Sequence, residues 1–355
     1  MAVLPRRMIL KLLESVLSSA AARAPVGGLV SLLQPGAATV DGKRLDGKTR
    51  YLLRLMELAG PASISQLTPA AAREEYLRSG GAVAPPARRL ARVCDLEIAA
   101  VGGRIPLRIY VPFAKATALP ALVYFHGGGW VLGSISTHDR LCRTIADDAG
   151  CVVVSVDYRL APESKFPTAV DDALAAFAWV VKEAGALGVD PDRIAVGGDS
   201  AGGNLAAVVA QAAASGVVAP PRLQLLIYPV TDLRCDTRSY DVFANGYFLT
   251  RDIMLWFRSH YLRETADIED PRASPLRGEL KASVAPALVV TAGFDPLLDE
   301  GLAYARKLRA AGTEVTYRCH ETLIHGFASV TGAVPAARAA LAETTTALRL
   351  AFARL

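Results

Sequence analysis

Gly198-Asp199-Ser200-Ala201-Gly202 sets a serine between two glycines in a G-x-S-x-G pattern. A serine hydroxyl is a weak nucleophile until a base takes its proton and an acid orients that base. The five residues alone are weak evidence, because a Gly-rich helix start with a capping Ser is spelled the same way. Their flanks are more specific. Ile194-Ala195-Val196 reads as a strand immediately before, and Ala201 to Ala214 as a helix immediately after. A turn taken straight from strand to helix excludes bulky flanking side chains and stands the hydroxyl out at the sheet edge. A serine so placed is suited to acyl transfer.

In this elbow architecture the acid and then the histidine follow the serine along the chain. Ala287–Thr291 reads as a strand and Gly293-Phe294-Asp295 follows it, so Asp295 is the expected acid. The C-terminal edge of a strand is where open α/β sheets build their sites. Asp299 and Glu300 are rivals, but they open the next helix, where the dipole favours a carboxylate regardless of function. A strand at 314–317 is predicted to lead into a loop holding His320 and His325. His325, further past the strand and followed by Gly326, is the expected base. His320, near the strand end, reads as structural or superficial.

His126-Gly127-Gly128-Gly129-Trp130 follows the strand Ala121–Phe125. Consecutive glycines leave backbone amides unshielded, so Gly128 and Gly129, with Ala201, form a candidate three-donor oxyanion hole. A phosphate loop is the rival reading, but no GxGxxG is present. His126 is expected to orient the loop. A second phosphate-loop match is Gly42-Lys43-Arg44-Leu45-Asp46-Gly47-Lys48-Thr49, which has the Walker A spelling. Its context is wrong: no apolar strand precedes Gly42, and Asp46 would put a carboxylate inside the phosphate cradle. A polar loop entering a helix explains it.

The elements that must position these groups follow from patterning. Short apolar runs at 121–125, 151–156, 194–196, 223–228, 287–291 and 314–317 alternate with helical stretches at 168–184, 201–214, 299–311 and 333–352. Buried β-runs joined by helical crossovers predict an α/β fold with a mostly parallel sheet covered on both faces. Period-two strands at 93–98 and 105–111 precede them. Upstream, residues 1–90 read as helices broken by Gly and Pro, including 49–58 and a short helix at 71–77 capped by Thr68-Pro69. Residues 232–270 break the alternation with Phe243, Tyr247, Phe248, Trp256 and Phe257.

Composition bounds the rest. With 355 residues, 52% of them hydrophobic, the chain is no disordered segment. A net charge of +5 without a long basic run is poor support for a nucleic-acid partner. Five cysteines with no CxxC, and five histidines with no HExxH or HxH, predict no disulfide framework and no metal. No 18-residue apolar run exists, so no membrane span is expected. Arg6-Arg7 and Ala22-Arg23-Ala24 look like parts of a twin-arginine export signal. Lys11 and Glu14 interrupt the apolar stretch such a signal needs, and a helix with Leu10, Leu13 and Leu17 on one face explains the region as well. A cytoplasmic location is expected.

Taken together, His126-Gly-Gly-Gly, Asp157-Tyr158-Arg159-Leu160-Ala161-Pro162-Glu163, Gly198-Asp199-Ser200-Ala201-Gly202-Gly203-Asn204, Asp295-Pro296-Leu297 and His325-Gly326-Phe327 resemble the bacterial hormone-sensitive lipase family of esterases. The match is strong over 90–330 and looser over 40–80. The resemblance implies an α/β-hydrolase core over 91–355, with a helical cap from residues 1–90 and the 232–270 insertion. It implies Ser200 as nucleophile, His325 as base, Asp295 as its acid, and Gly128, Gly129 and Ala201 as oxyanion donors. His126, Gly127, Asp199 and Glu163 are then supporting motif residues, Glu163 as a brace. Leu298 stands where an Arg is common, and about 40 residues precede the usual start; both leave the cap and the oligomer interface open, so a homodimer is one option. The expected function is that of a serine carboxylesterase on short- to medium-chain esters, a small-molecule substrate and no cofactor being required. The different-class alternative is a receptor like the plant gibberellin receptor, which resembles the family but lacks the catalytic His.

Overall fold

Apolar runs without a polar alternate need cover on both faces. The chain, described here over residues 39–59, 63–114, 118–280 and 284–355 of a computed structural model, meets that need with helices above and below one sheet. A small antiparallel hairpin comes first, β1 (Thr39–Val40) and β2 (Lys43–Arg44), then helices α1 (Gly47–Ala59) and α2 (Pro69–Val83). Strands β3 (Arg92–Ala100) and β4 (Gly103–Val111) pair antiparallel. Alternation then sets in with β5 (Leu119–Phe125), α3 (Ile135–Ala149), β6 (Val152–Val156), α4 (Thr168–Lys182), α5 (Ala184–Leu187), β7 (Val189–Asp199), α6 (Ala201–Ala214) and β8 (Gln224–Ile227). The stretch after β8 carries α7 (Arg238–Val242) and α8 (Arg251–Tyr261). Then come β9 (Ala287–Phe294), α9 (Leu298–Ala310), β10 (Val315–Ile324) and α10 (Pro335–Phe352).

The eight-stranded sheet has the order β10-β9-β8-β7-β5-β6-β4-β3. From β10 to β6 the neighbours are parallel, whereas β4 joins β6 antiparallel. Strand side chains alternate between two cores. Val123 and Phe125 of β5 pack with Phe177 of α4 and Leu205 and Val209 of α6. Leu122 and Tyr124 pack with Leu141 and Ile145 of α3 and Leu341 and Leu348 of α10. Each such side chain removed from water contributes about 1.5–3 kcal/mol before entropy is counted.

The structure corrects several expected boundaries. The last strand runs on to Ile324, so His320 lies within it, opposite Ala292, and not in a loop. The helix opened by Thr68 continues through Gly80 and Gly81 to Val83. Helix α3 was not foreseen: it starts with a Ser134–Thr137 capping box and ends at Gly150 in the left-handed region. Its apolar stripe is interrupted by buried His138 and Thr144, which blurs the helical period. The Walker-like stretch folds as the β1–β2 hairpin followed by α1, whose first turn is capped by Asp46: its carboxylate accepts from the Thr49 amide at 2.8 Å. That carboxylate takes a donor a phosphate would use. Arg6-Arg7, Ala22-Arg23-Ala24 and the helix predicted around Leu10–Leu17 lie outside the described residues. Among the described residues no helix is long and apolar enough to cross a membrane.

The two segments read as a cap touch each other. Asp41 of the first hairpin pairs with Arg238 at 2.6 Å, and Val40 and Leu45 share a small cluster with Phe243, Tyr247 and Phe294. Elsewhere the core side is pinned by a buried carboxylate. Asp172 of α4 accepts from the Arg159 amide at 2.9 Å and from its guanidinium at 2.6 Å, while the same guanidinium donates to Val101 O. Asp172→Ala should therefore lower unfolding stability by about 2–3 kcal/mol, the Arg159 head being able to reach water while its amide loses its acceptor. Urea unfolding of the two proteins measures this; equal midpoints would refute it.

Candidate active site

β7 ends at Asp199 and α6 begins at Ala201, leaving one residue for the turn. That residue, Ser200, has φ +56° and ψ −118°, a conformation most side chains avoid. The turn is possible because its neighbours have no side chains. A Cβ on Gly198 would strike Gly202 and the Phe125 carbonyl, and one on Gly202 would overlap that same carbonyl. The Ser200 amide donates to Ile227 O at 2.9 Å, and Asn204 donates its amide to Ser200 O at 3.0 Å. The Asn204 side chain fixes the start of α6 by donating to Val230 O and Ala273 O.

Ser200, His325 and Asp295 come together across the ends of three strands. His325 Nε2 lies 2.9 Å from Ser200 Oγ, and its Nδ1 lies 2.8 Å from Asp295 Oδ2. A carboxylate only accepts, so Nδ1 carries a proton and the Nε2 lone pair faces the serine hydroxyl. All three side chains are buried. Asp295 is held by the Leu297 amide, which donates to its other oxygen at 2.9 Å. The rival carboxylates face elsewhere. Asp299 accepts from the Ser239 amide at 2.8 Å. Glu300 accepts from the amides of Thr231 and Asp232 at 2.6 and 3.1 Å. Burial drives the Glu300 carboxyl well above the ordinary range against the pull of the Thr231 and Asp232 amides, with Asp232 and Asp295 adding repulsion, and the side chain ties down the chain leaving β8. His320 is half-buried in β10 with its ring edge-on to Phe327.

The glycine loop sits beside the elbow because β5 and β7 are paired, Phe125 opposite Gly198. Gly128 and Gly129 have φ +120° and +60°. A Cβ on Gly128 would strike the Leu132 carbonyl, and one on Gly129 the ring of Phe257 in α8. The amides of Gly128, Gly129 and Ala201 have no acceptor among the described residues. Asp199 Oδ1 accepts from the Gly127 amide at 3.0 Å and from the Tyr124 hydroxyl at 2.7 Å. Burial works to raise that carboxyl, but the His138 ring and the Tyr124 hydroxyl outweigh it and hold it below the usual carboxylate range. His126 stacks on Tyr158 and contacts Gly127 O through Nδ1. Burial and the nearby His138 push His126 down to about 3, so its ring is neutral and unsuited to serve as a base near neutral pH.

Two distant segments clamp this loop. Arg73 of α2 donates to Val131 O at 2.8 Å, to Ala161 O at 2.8 Å and to the Glu163 carboxylate at 2.7 Å. Tyr261 of α8 stacks on Trp130 with centroids 4.2 Å apart. Arg73, Tyr124, His138 and Tyr261 were not singled out from the sequence, since nothing in their local spacing marks them. The described residues contain no group of three or more His, Cys, Asp or Glu side chains able to hold a metal ion.

Comparison with known proteins agrees with this architecture. The family model described as alpha/beta hydrolase fold matches residues 122–329. The chain is 43% identical over 322 residues to the carboxylic ester hydrolase LipN of Mycobacterium tuberculosis, covering 89% of this chain and 85% of that one. It is 45% identical over 260 residues to an ethyl acetate hydrolase of Pseudomonas putida, covering 72% and 82%. A solved ester hydrolase from the metagenome of Lake Arreo, complexed with a bipyridine phosphonate derivative, superposes with TM-score 0.84 at 41% identity, covering 87% and 99%. A thermostable esterase of Pseudomonas putida gives TM-score 0.83 at 40% identity, covering 89% and 98%. With its fold, its motifs and these likenesses in agreement, the chain belongs to the alpha/beta hydrolase fold family, in its hormone-sensitive-lipase-like group.

Proposed function

We propose that this carboxylic ester hydrolase works by acyl transfer to Ser200. The observation that carries the reading is the hydrogen-bonded chain from Ser200 through His325 to Asp295, beside three backbone amides without an acceptor among the described residues. His325 Nε2 takes the hydroxyl proton as Ser200 Oγ bonds to the ester carbonyl carbon. The carbonyl π electrons move to oxygen, and that oxyanion accepts from the amides of Gly128, Gly129 and Ala201. Asp295 stabilises the imidazolium. The C–O bond to the alcohol breaks, and the leaving oxygen takes the proton from Nε2. Water then attacks the acyl-enzyme by the same steps, releasing the carboxylic acid and restoring Ser200.

Ser200→Ala or His325→Ala should each lower kcat by about 10⁶-fold with the fold intact, and the double variant should be barely worse. Asp295→Asn should cost about 10⁴-fold, the wrong tautomer being held. Steady-state rates on a chromogenic ester decide this, and an inactive Asp299→Asn beside an active Asp295→Asn would overturn the acid assignment.

Short and medium acyl chains are the proposed substrates, and the insertion is the proposed cap. The support is aromatic crowding from 232–270: Phe257 lies against Gly129, and the partly exposed Phe248 lies beside Gly326, next to His325. Each methylene that finds room adds about 0.8 kcal/mol of favourable burial. Specificity constants across p-nitrophenyl esters should rise from acetyl, peak, and fall before palmitoyl. Phe248→Ala should move the peak to longer chains. An uninterrupted rise to palmitoyl in the unaltered protein would refute the crowded pocket.

A further inference from the structure

A second histidine–carboxylate pair lies behind the nucleophile, unused by the mechanism above. His138 of α3 is fully buried, and its Nε2 stands 3.4 Å from Asp199 Oδ1. Its Nδ1 lies 2.8 Å from Thr137 Oγ1. The Thr137 hydroxyl has Ser134 O at 2.9 Å as an acceptor for its one proton, which leaves an oxygen lone pair able to take a proton from Nδ1. Nε2 faces a carboxylate oxygen, which also only accepts. A ring protonated on both nitrogens therefore finds an acceptor at each end, and such a ring is a cation inside the protein. An isolated buried charge is costly, but this one faces the buried Asp199.

Asp199 connects that pair to the reaction. The oxygen nearest His138, Oδ1, is the one that accepts from the Gly127 amide. Gly127 has no room for a side chain there, since a Cβ would stand 2.5 Å from Asp199 Oδ2. Gly128 and Gly129 follow directly. We propose that His138 is a positioning residue: its protonated ring pairs with the Asp199 carboxylate, and that carboxylate holds Gly127, and with it the Gly128–Gly129 amides, against the strand that carries Ser200. The proposal rests on reading those amides as the oxyanion site. The other titratable groups facing His138 are His126, with ring centroids 5.4 Å away, and Asp157, whose carboxylate takes the Ile135 amide at 3.0 Å at the start of α3. On its own helix, Cys142 lies one turn on. His126 is held neutral by burial, which leaves His138, 3.4 Å from Asp199 Oδ1, as the ring placed to answer that carboxylate.

Four variants test this: His138→Gln, Asp199→Asn, the two combined, and Ser200→Ala. His138→Gln leaves Asp199 buried without its partner charge and should lower kcat between about ten- and a hundredfold, with KM changed less than about threefold, because the loss falls on the developing oxyanion. Adding Asp199→Asn removes the stranded charge while leaving an oxygen for the Gly127 amide, so the double variant should regain about tenfold over His138→Gln. A folded His138→Gln with unchanged kcat overturns the proposal, as does a double variant whose loss is the product of the single losses. If His138→Gln does not fold, nitrogen-15 NMR of the unaltered protein decides, since a His138 ring neutral near pH 7 is incompatible with the pairing. Ser200→Ala keeps the two readings apart. Retained turnover in Ser200→Ala sinks the acyl-transfer reading, whereas an inactive Ser200→Ala beside a fully active His138→Gln sinks only this inference.

Discussion

Everything at the site depends on one strained residue being held where it would not rest by itself. Ser200 sits at φ +56° between a strand and a helix, a conformation that costs about 1–3 kcal/mol for a residue with a side chain. The cost is met by contacts on every side: the Ser200 amide on Ile227, the Ser200 carbonyl under Asn204 and Val230, and the backbone of Phe125 pressed against Gly198 and Gly202. That pressure is also what brings the glycine loop alongside. β5 delivers the loop and β7 delivers the serine, so a single strand pairing sets both. The Asp295 and His325 ends arrive by the same logic, from β9 and β10 on the far side of β8.

Behind the elbow the protein stores charge where charge is expensive. Asp199, His126, His138 and Glu300 are all buried. They are tolerated because each meets a partner or gives up its charge. Asp199 has the Tyr124 hydroxyl, the Gly127 amide and the His138 ring, whereas His126 and Glu300 are pushed toward their neutral forms. Such groups resist rearrangement, since any shift strands a polar atom away from water. Rigidity of this kind suits the proposed oxyanion site, which would stabilise charge without first reorganising.

The glycine loop is also secured by parts that enter late or early in the chain. Arg73 precedes it by 58 residues along the sequence and holds the Val131 carbonyl. Tyr261 and Phe257 come from the stretch after β8 and lie on Trp130 and Gly129. Movement of α2 or α8 would therefore be felt at the loop directly.

The chain by itself carried the local constraints. An apolar run bounded by glycines can be only a few things, and so the strand before Ser200, the helix Ala201–Ala214 and the placement of Asp295 after a strand were all legible from spacing. Where local signals conflicted with burial, reading failed. Helix α3 was missed because His138 and Thr144 occupy its buried face, and β10 was cut short because its edge position leaves polar residues such as Arg318 and Glu321 in the strand. Only the tertiary structure decided which groups meet: Tyr124 with Asp199, Arg73 with Glu163, Glu300 with the amides of Thr231 and Asp232. Those contacts join residues about 70 to 90 positions apart, and their energy comes from exclusion of water, a property of the packed sheet and its helices that no local spacing encodes.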